Sequence, residues 1–271
     1  MNKISAAITE ITNASYPAIY KGPLKEGVSK ASLHGYDAVE LHIPSSSAVD
    51  CPEFLEYCMS KHIRISAIST GLAYSMRGLS LTSEDPDTRK AAIRCMNEFV
   101  SLAKELQTGI IIGLIRGSCS IQVGKEKTVE LLRQSMEQIL NQADNMKVPI
   151  YFEVIAEFLC NYFCKIQESV EFVTSFKHPS LKLHIDTFHM AHEESDLPGS
   201  IAGCAKCLGY VHYSDTDRLI PGMGTIDFSG ITKELKRVGY EGYIALECVP
   251  FPDVEISGPF GAQYVKSLLN S

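Results

Sequence analysis

Short apolar runs rich in β-branched residues alternate with longer segments of helical spacing along the whole chain. The runs that predict strands lie within residues 4–12 and at 37–43, 64–70, 109–117, 149–156, 181–187, 209–215 and 242–248. The segments with helical spacing lie at 23–35, 51–62, 85–106, 126–146, 164–177, 197–207, 228–238 and 262–269. Eight such units in 271 residues predict an α/β fold, the (β/α)8 TIM barrel, whose usual size is about 250 residues.

A doubly wound open sheet is the alternative architecture. It is less consistent with the sequence, because no G-x-G-x-x-G motif follows an early strand. No linker rich in Pro, Gly or Ser interrupts the alternation. We therefore expect residues 1–271 to form a single barrel domain, with a long loop between the third strand and the helix that starts at residue 85.

Composition indicates the cellular compartment of the protein and the classes of partner that it does not bind. No apolar run approaches the roughly 18 residues of a membrane helix, and the first residues interrupt their apolar positions too often for a signal peptide. The nine cysteines are an odd number, and they lack the regular spacing of disulfide-bonded domains, so we interpret them as reduced thiols. Reduced thiols are typical of the cytoplasm, where we therefore expect this protein. The net charge of −7 argues against a nucleic-acid partner, since binding to phosphates needs a basic surface.

Polar side chains accumulate where the predicted strands end. In a TIM barrel the carboxyl ends of the strands point into one shared mouth, where active sites are built. The polar residues at or just after these ends are Glu40, His42, Thr70, Arg116, Glu153, Asp186, His189, His212 and Glu247. We expect them to act together.

Four of these residues, from consecutive strands, have spacings that converge on one point in a closed barrel: Glu153, Asp186, His212 and Glu247. Three carboxylates and one imidazole suit a divalent ion, with Mn²⁺ favoured and Co²⁺, Mg²⁺ or Zn²⁺ as alternatives. The competing interpretation is that each is a polar rim residue facing water. His184 shares the face of Asp186 by alternation but lies deeper, where an interior histidine satisfied by hydrogen bonds is the more common role.

Several motifs carry a family resemblance: GYDAVELHI at 35–43, Glu153-Val-Ile, LHIDTFHM at 183–190, VHYSDTDRLIPGMGTIDF at 211–228 and ALEC at 245–248. They resemble the xylose-isomerase-like sugar isomerase and epimerase superfamily, and most closely its D-tagatose/D-psicose (allulose) 3-epimerases. The resemblance implies one divalent metal on the four residues named above, with Glu153 and Glu247 as the acid/base pair. It also implies that His189 and Arg218 grip oxygens of a sugar substrate, and that the protein forms a homodimer or homotetramer.

The implied chemistry explains the residue types. Removing a proton beside a carbonyl leaves an enediolate, so a cation must stabilise the oxyanion while a carboxylate takes the proton. Two carboxylates on opposite faces allow inversion, which favours 3-epimerisation of a ketose or ketose derivative. An aldose–ketose (sugar phosphate) isomerase or a keto-inositol dehydratase would use the same site. A non-catalytic sugar-binding protein is a third alternative, against which the two glutamates argue.

The sequence departs from the family after the fifth strand. There the family has a pattern like E-x-x-N-R-x-E, whereas residues 153–159 read EVIAEFL, with Leu159 in place of the second glutamate. One polar side chain that would bind the sugar is therefore missing, so the sequence does not support a free ketohexose as the substrate. Arg116 offers a contact for a substrate phosphate or carboxylate, with a salt-bridged rim arginine as the alternative.

Endonuclease IV is a further alternative, because it shares the fold and a similar D-T-x-H motif. It uses a three-zinc cluster with additional histidines, including from strands three and four, whereas Thr70 and Arg116 stand there in this chain. The motif Cys204-Ala-Lys-Cys207 has no second pair for zinc, so we interpret its thiols as packing residues.

Overall fold

Eight parallel strands close into a barrel in this computed structural model, which describes residues 2–271. The strands are β1 Lys3–Thr9, β2 Ala38–His42, β3 Arg64–Ser69, β4 Gly109–Ile112, β5 Ile150–Glu153, β6 Leu181–Asp186, β7 Leu208–Tyr213 and β8 Tyr243–Leu246. Each strand pairs with the next, and β8 pairs with β1 from Lys3 opposite Tyr243 onward. A two-residue strand, Tyr20–Lys21, pairs with the carboxyl end of β1. The TIM-barrel prediction is confirmed.

Helices surround the strands. They are α1 Leu24–Leu33, α2 Cys51–Ser60, α3 Gly71–Arg77, α4 Pro86–Glu105, α5 Lys125–Met146, α6 Ile166–Ser175, α7 Thr187–Glu193, α8 Leu197–Cys204, α9 Phe228–Arg237 and α10 Val254–Asn270. Asp85 caps α4 by accepting hydrogen bonds from the backbone N–H groups of Asp87 and Thr88, and Pro86 occupies the first turn. No helix among residues 2–271 combines the length and apolar character needed to cross a bilayer.

The strands are buried on both faces because helices cover the outside and side chains fill the inside. All five residues of β2 and all four of β4 are buried. Inside the barrel, Ala67, Ile111, Tyr210 and Ala245 form a small apolar cluster, and Tyr151 stacks on Tyr210 with ring centroids 5.1 Å apart. This layer lies below the strand ends, so the polar residues of the mouth stand on an apolar floor.

Three helical segments differ from the sequence prediction. The helix α3 lies in the segment predicted as a long loop, and α7 begins directly after Asp186. Both have only seven residues, too few to show a helical period in the sequence. The last helix starts at Val254 and not at 262, because Pro259 lies inside it and interrupts its pattern.

Core packing predicts the stability of a matched pair of variants. Leu132 on α5 is fully buried, whereas Leu33 at the end of α1 is 80% exposed. We expect Leu132→Ala to lower the free energy of unfolding by about 2–5 kcal/mol, because it leaves a cavity. Leu33→Ala should change it by less than about 0.5 kcal/mol. Urea denaturation followed by circular dichroism measures both, and equal losses in the two variants would contradict this packing.

Candidate functional site

The barrel brings four ionisable side chains together at its mouth. Glu153 and Asp186 are the last residues of β5 and β6, His212 lies on β7 opposite Asp186, and Glu247 directly follows β8. Each offers one ligand atom, and these atoms all lie within 4.8 Å of one another. The convergence expected from the strand spacing is therefore present in the structure.

The environment of His212 is that of a metal-ligating histidine. Its Nε2 lies 2.8 Å from Glu40 Oε2, whereas its Nδ1 has no hydrogen-bond partner among residues 2–271. The same Nδ1 lies 3.5 Å from Asp186 Oδ2 and 3.6 Å from Glu247 Oε2. A histidine that ligates a metal is commonly held by a carboxylate on its other nitrogen. These residues therefore fit a divalent cation.

Arg218 is the cationic side chain of this cluster. Its Nη1 donates to Asp186 Oδ2 at 2.6 Å and to Glu247 Oε2 at 2.8 Å, and its guanidinium lies 4.3 Å from the centre of the Phe188 ring. Burial raises the pKa of Asp186, but the charge of Arg218 and the nearby imidazole of His212 outweigh it and hold that pKa well below its ordinary value. One guanidinium thus keeps the most buried carboxylate ionised.

Glu153 shows the opposite effect. Burial, and then the neighbouring charge of Glu247, raise the pKa of Glu153 to about 8. Without a further cation, the protein groups alone do not balance the negative charge gathered here. A divalent ion would supply the positive charge that this donor set lacks.

His189 reaches the cluster from α7. Its Nε2 lies 2.8 Å from Arg218 Nη2 and 4.0 Å from Glu153 Oε1. Burial, followed by the charge of Arg218, lowers the pKa of His189 to about 3. The imidazole is therefore neutral, and because Arg218 donates to Nε2, the proton resides on Nδ1. His189 thus adds a neutral polar group beside the carboxylates.

Glu40 has a role that the sequence did not reveal. It is fully buried and lies 2.7 Å from His42 Nε2 as well as 2.8 Å from His212 Nε2. Burial raises the pKa of Glu40, but His212 and His42 bring it well below its ordinary value. His42 is in turn bonded to the hydroxyl of Tyr16 at 2.8 Å. This series of hydrogen bonds, from Tyr16 through His42 and Glu40, fixes the orientation of the His212 ring through its Nε2 atom.

Asp215 builds the loop that carries Arg218. Its buried carboxylate accepts hydrogen bonds of 2.8 to 3.1 Å from the backbone N–H groups of Thr216, Gly222, Gly224 and Ile226. Asp217 and Arg218 both have positive φ angles, +61° and +59°, which only a well-supported backbone tolerates in such residues. The polar run after β7 therefore contains one support residue, Asp215, as well as site residues.

The structure brings together the predicted metal-binding, acid/base and substrate-binding residues except Arg116, whereas Thr70 donates its hydroxyl to the carbonyl oxygen of Ile111. The Arg116 side chain is fully buried, and it donates to the carbonyl oxygens of Glu153 and Tyr162 and lies 3.1 Å from Cys160 Sγ. Each of its nitrogens is thus engaged by protein. The expectation that Arg116 meets a substrate anion has no support in this arrangement. The alternative of a salt-bridged rim arginine is equally inconsistent with it, because the side chain is fully buried and bonded to carbonyl oxygens. Instead, Arg116 supports the end of β5.

The lip of the mouth after β5 exposes two large apolar side chains, which follow the exposed Glu157. Phe158 is 60% exposed and Leu159 is 44% exposed. The ring of Phe158 packs near His192 and His189, with centroid distances of 5.1 and 6.4 Å. This part of the lip therefore offers apolar surface where the motif described above has a glutamate.

Proteins of known activity are similar to this chain. The family model described as xylose isomerase-like TIM barrel matches residues 28–261. A ketose 3-epimerase of Arthrobacter globiformis is 25% identical over 226 residues, which cover 83% of this chain and 77% of that protein. A D-psicose 3-epimerase of Ruminiclostridium cellulolyticum is 29% identical over 187 residues, covering 68% and 62%.

Solved structures show the same fold. The crystal structure of D-psicose 3-epimerase with D-tagatose from Clostridium cellulolyticum H10 matches with a TM-score of 0.82 at 22% identity, covering 99% of this chain and 98% of that one.

A glycine beside the site gives a sharp test of this geometry. Gly113 follows β4 with a φ of −100°, and a Cβ there would overlap Glu153 Oε2. Because that atom ends a flexible side chain, we expect Gly113→Ala to keep the fold but displace the carboxylate. Titration calorimetry with Mn²⁺ should show an affinity at least about 10-fold weaker.

The matched control for this variant is Gly71→Ala at the start of α3, where an added Cβ meets nothing within 4 Å. It should bind Mn²⁺ like the parent protein. Unchanged affinity in Gly113→Ala would show that Glu153 does not contact the ion.

Proposed function

The chain belongs to the xylose isomerase-like TIM-barrel family, and from this and the site geometry we propose that it is a metal-dependent sugar epimerase. The reaction is the inversion of C3 of a ketose or ketose derivative through an enediolate. The observation that carries the proposal is the pairing of Glu153 on β5 with Glu247 after β8, within 4.8 Å across one mouth. The names of the similar 3-epimerases support the same reaction type.

The metal-binding residues in this proposal are Glu153, Asp186, His212 and Glu247. Three carboxylates and an imidazole Nδ1 free of other partners form the donor set. When bound there, a divalent ion supplies Lewis-acid stabilisation of negative charge on substrate oxygens. Mn²⁺ is the ion that we propose, because this oxygen-rich set suits it.

The two glutamates move the proton. One carboxylate removes the proton from C3 on one face of the sugar, and the other returns a proton to the opposite face. A positioned acid or base of this kind contributes about 10² to 10⁴ in rate. Since Glu153 and Glu247 approach from different strands, the same pair serves both directions of the reaction.

His189 and Arg218 hold the substrate. The side chain of Arg218 is 15% exposed and its guanidinium bonds two carboxylates of the cluster, so it can donate to a sugar oxygen there. The neutral His189 adds a hydrogen bond beside Glu153. Their mutual contact at 2.8 Å keeps both groups aimed at the same region.

The exposed apolar side chains after β5 favour one class of substrate over another. Phe158 and Leu159 are exposed there and have no polar group to hold a sugar hydroxyl. A ketose derivative that presents apolar surface or fewer hydroxyl groups at this end fits the lip better than a free ketohexose.

The metal part of the proposal is tested by binding. We expect one divalent ion per chain, measured by elemental analysis of protein loaded with Mn²⁺ and then desalted. Asp186→Asn should lower the affinity by at least about 10-fold without unfolding the chain, because it removes a charged ligand. Asp217→Asn, an exposed aspartate of the loop after β7, is the control and should bind normally. Substoichiometric metal in the parent protein would refute this part.

The reaction is tested by solvent exchange. Parent protein in deuterated water should place deuterium at C3 of its substrate, sought among ketoses, ketose phosphates and keto-inositols. Glu247→Gln with metal retained should lose net epimerisation by at least about 10²-fold, because one face lacks its acid/base group. Exchange at the face served by Glu153 should persist. The control is Glu241→Gln, an exposed glutamate just before β8.

The outcomes separate the alternatives. Deuterium at C2 with aldose formation would identify an aldose–ketose isomerase, and loss of water from a keto-inositol would identify a dehydratase. Sugar binding without any exchange would favour a binding protein over our proposal.

A further inference from the structure

A cavity of about 590 Å³ opens at the amino-terminal end of the barrel, on the side opposite the mouth. Its walls come from α2, the end of α4, the segment after α5, and the first residues of β3, β4, β5 and β8. Pockets that hold small molecules usually measure about 300–1,000 Å³, so this space suits a ligand of that size. None of the residues assigned above to metal or substrate binding lines it, so it is separate from the candidate site.

Three cationic side chains line this cavity, and no carboxylate among residues 2–271 does: Arg64, Lys104 and Lys147. All three are exposed. The ion pairs formed within residues 2–271 involve other lysines and arginines, so these three cations have no carboxylate partner there. Because the whole chain has a net charge of −7, a cavity lined by cations alone differs from the average of the molecule. The charge of this lining favours an anion.

The neighbouring charges leave this positive lining in place. An adjoining recess on the same end of the barrel shares Lys147 with the cavity and adds Lys182 and Asp144, whose opposite charges offset each other. The carboxylate of Asp37, just before β2, accepts a hydrogen bond of 2.9 Å from the backbone N–H of Ile4. It forms no ion pair with the cations of the cavity. The three cations are therefore available to a ligand.

The uncharged part of the lining combines apolar side chains with hydroxyl groups. Tyr151 and Tyr243 pack against the apolar floor of the barrel, so their rings form the inner wall. Burial raises the pKa of Tyr151 to about 12 and also raises the pKa of Tyr243, so both hydroxyls stay protonated and can donate. Thr108 adds a buried hydroxyl that has no hydrogen-bond partner among residues 2–271. The apolar members include Leu55, Met59, Ile63 and Leu106.

We propose that this cavity binds a phosphate ester with an aromatic or apolar body. Arg64 offers the planar guanidinium that pairs with two phosphate oxygens, and the two lysines add positive charge for a dianion. A carboxylate carries a single negative charge and so makes less use of three cations. The tyrosine rings and the apolar side chains contact the organic part of the ester. The site depends neither on the proposed reaction nor on the metal ion.

Phenyl phosphate is a probe that carries both features, and titration calorimetry of the full-length protein measures its binding. We expect one molecule per chain. Its affinity should be at least about 10-fold higher than that of inorganic phosphate or phenol, because each of these supplies only one of the two kinds of contact. Absence of measurable binding, or an affinity equal to that of inorganic phosphate, would overturn the proposal.

Variants locate the bound molecule. Arg64→Gln combined with Lys147→Gln removes two of the three cations and should weaken phenyl phosphate binding by at least about 10-fold. The matched control combines Arg94→Gln with Lys233→Gln, which removes the same charge from exposed positions on α4 and α9, and it should bind like the parent protein. Asp186→Asn at the barrel mouth should also bind the probe normally.

Two results would contradict this location. Equal weakening in both double variants would show a general effect of net charge, and loss of binding in Asp186→Asn would place the phosphate at the metal site. Either result would overturn the inference and leave the proposed function standing. Circular dichroism of each variant verifies its fold, which we expect to be retained because all four substituted cations are exposed.

Discussion

Mutual repulsion among buried carboxylates is the constraint on which this site depends. Glu40, Glu153, Asp186 and Glu247 converge on one barrel mouth, where Glu40 and Asp186 are fully buried and Glu153 and Glu247 expose only 11% and 12% of their side chains. Such a group is stable only if cations and donors surround it. Arg218 and two histidines supply part of that balance, and the divalent ion that we propose would supply the rest. The barrel closure matters because it forces the strand ends, and therefore the charges, together.

The supporting residues around the cluster have a common purpose, which is to hold charged groups that would otherwise separate. Asp215 gathers four backbone N–H groups and so fixes the loop of Arg218 in its left-handed conformation. Arg116 donates a hydrogen bond to the backbone carbonyl of Glu153, and Glu40 orients the ring of His212. These residues are buried and polar, so they add little apolar packing. Their value lies in positioning the cluster.

The fold could be predicted from the sequence because each strand and most helices carry their own local period. The four residues of the cluster could be predicted because parallel strands end on one side of a barrel, so position along a strand determines position in the mouth. Local pattern does not identify tertiary partners. It therefore did not show that Arg116 is enclosed by backbone carbonyls, that Glu40 bridges two histidines, or that His184 has no partner among residues 2–271.

The site divides into two parts with different physical demands. The ionic part, on β5 to β8, tolerates little change, because removing one charge leaves another buried and unpaired. The lip after β5 is partly exposed, and Leu159, which stands where the family motif has a glutamate, leaves no buried charge unpaired there. Loops on a rigid barrel can thus alter what binds while the strand ends retain the chemistry.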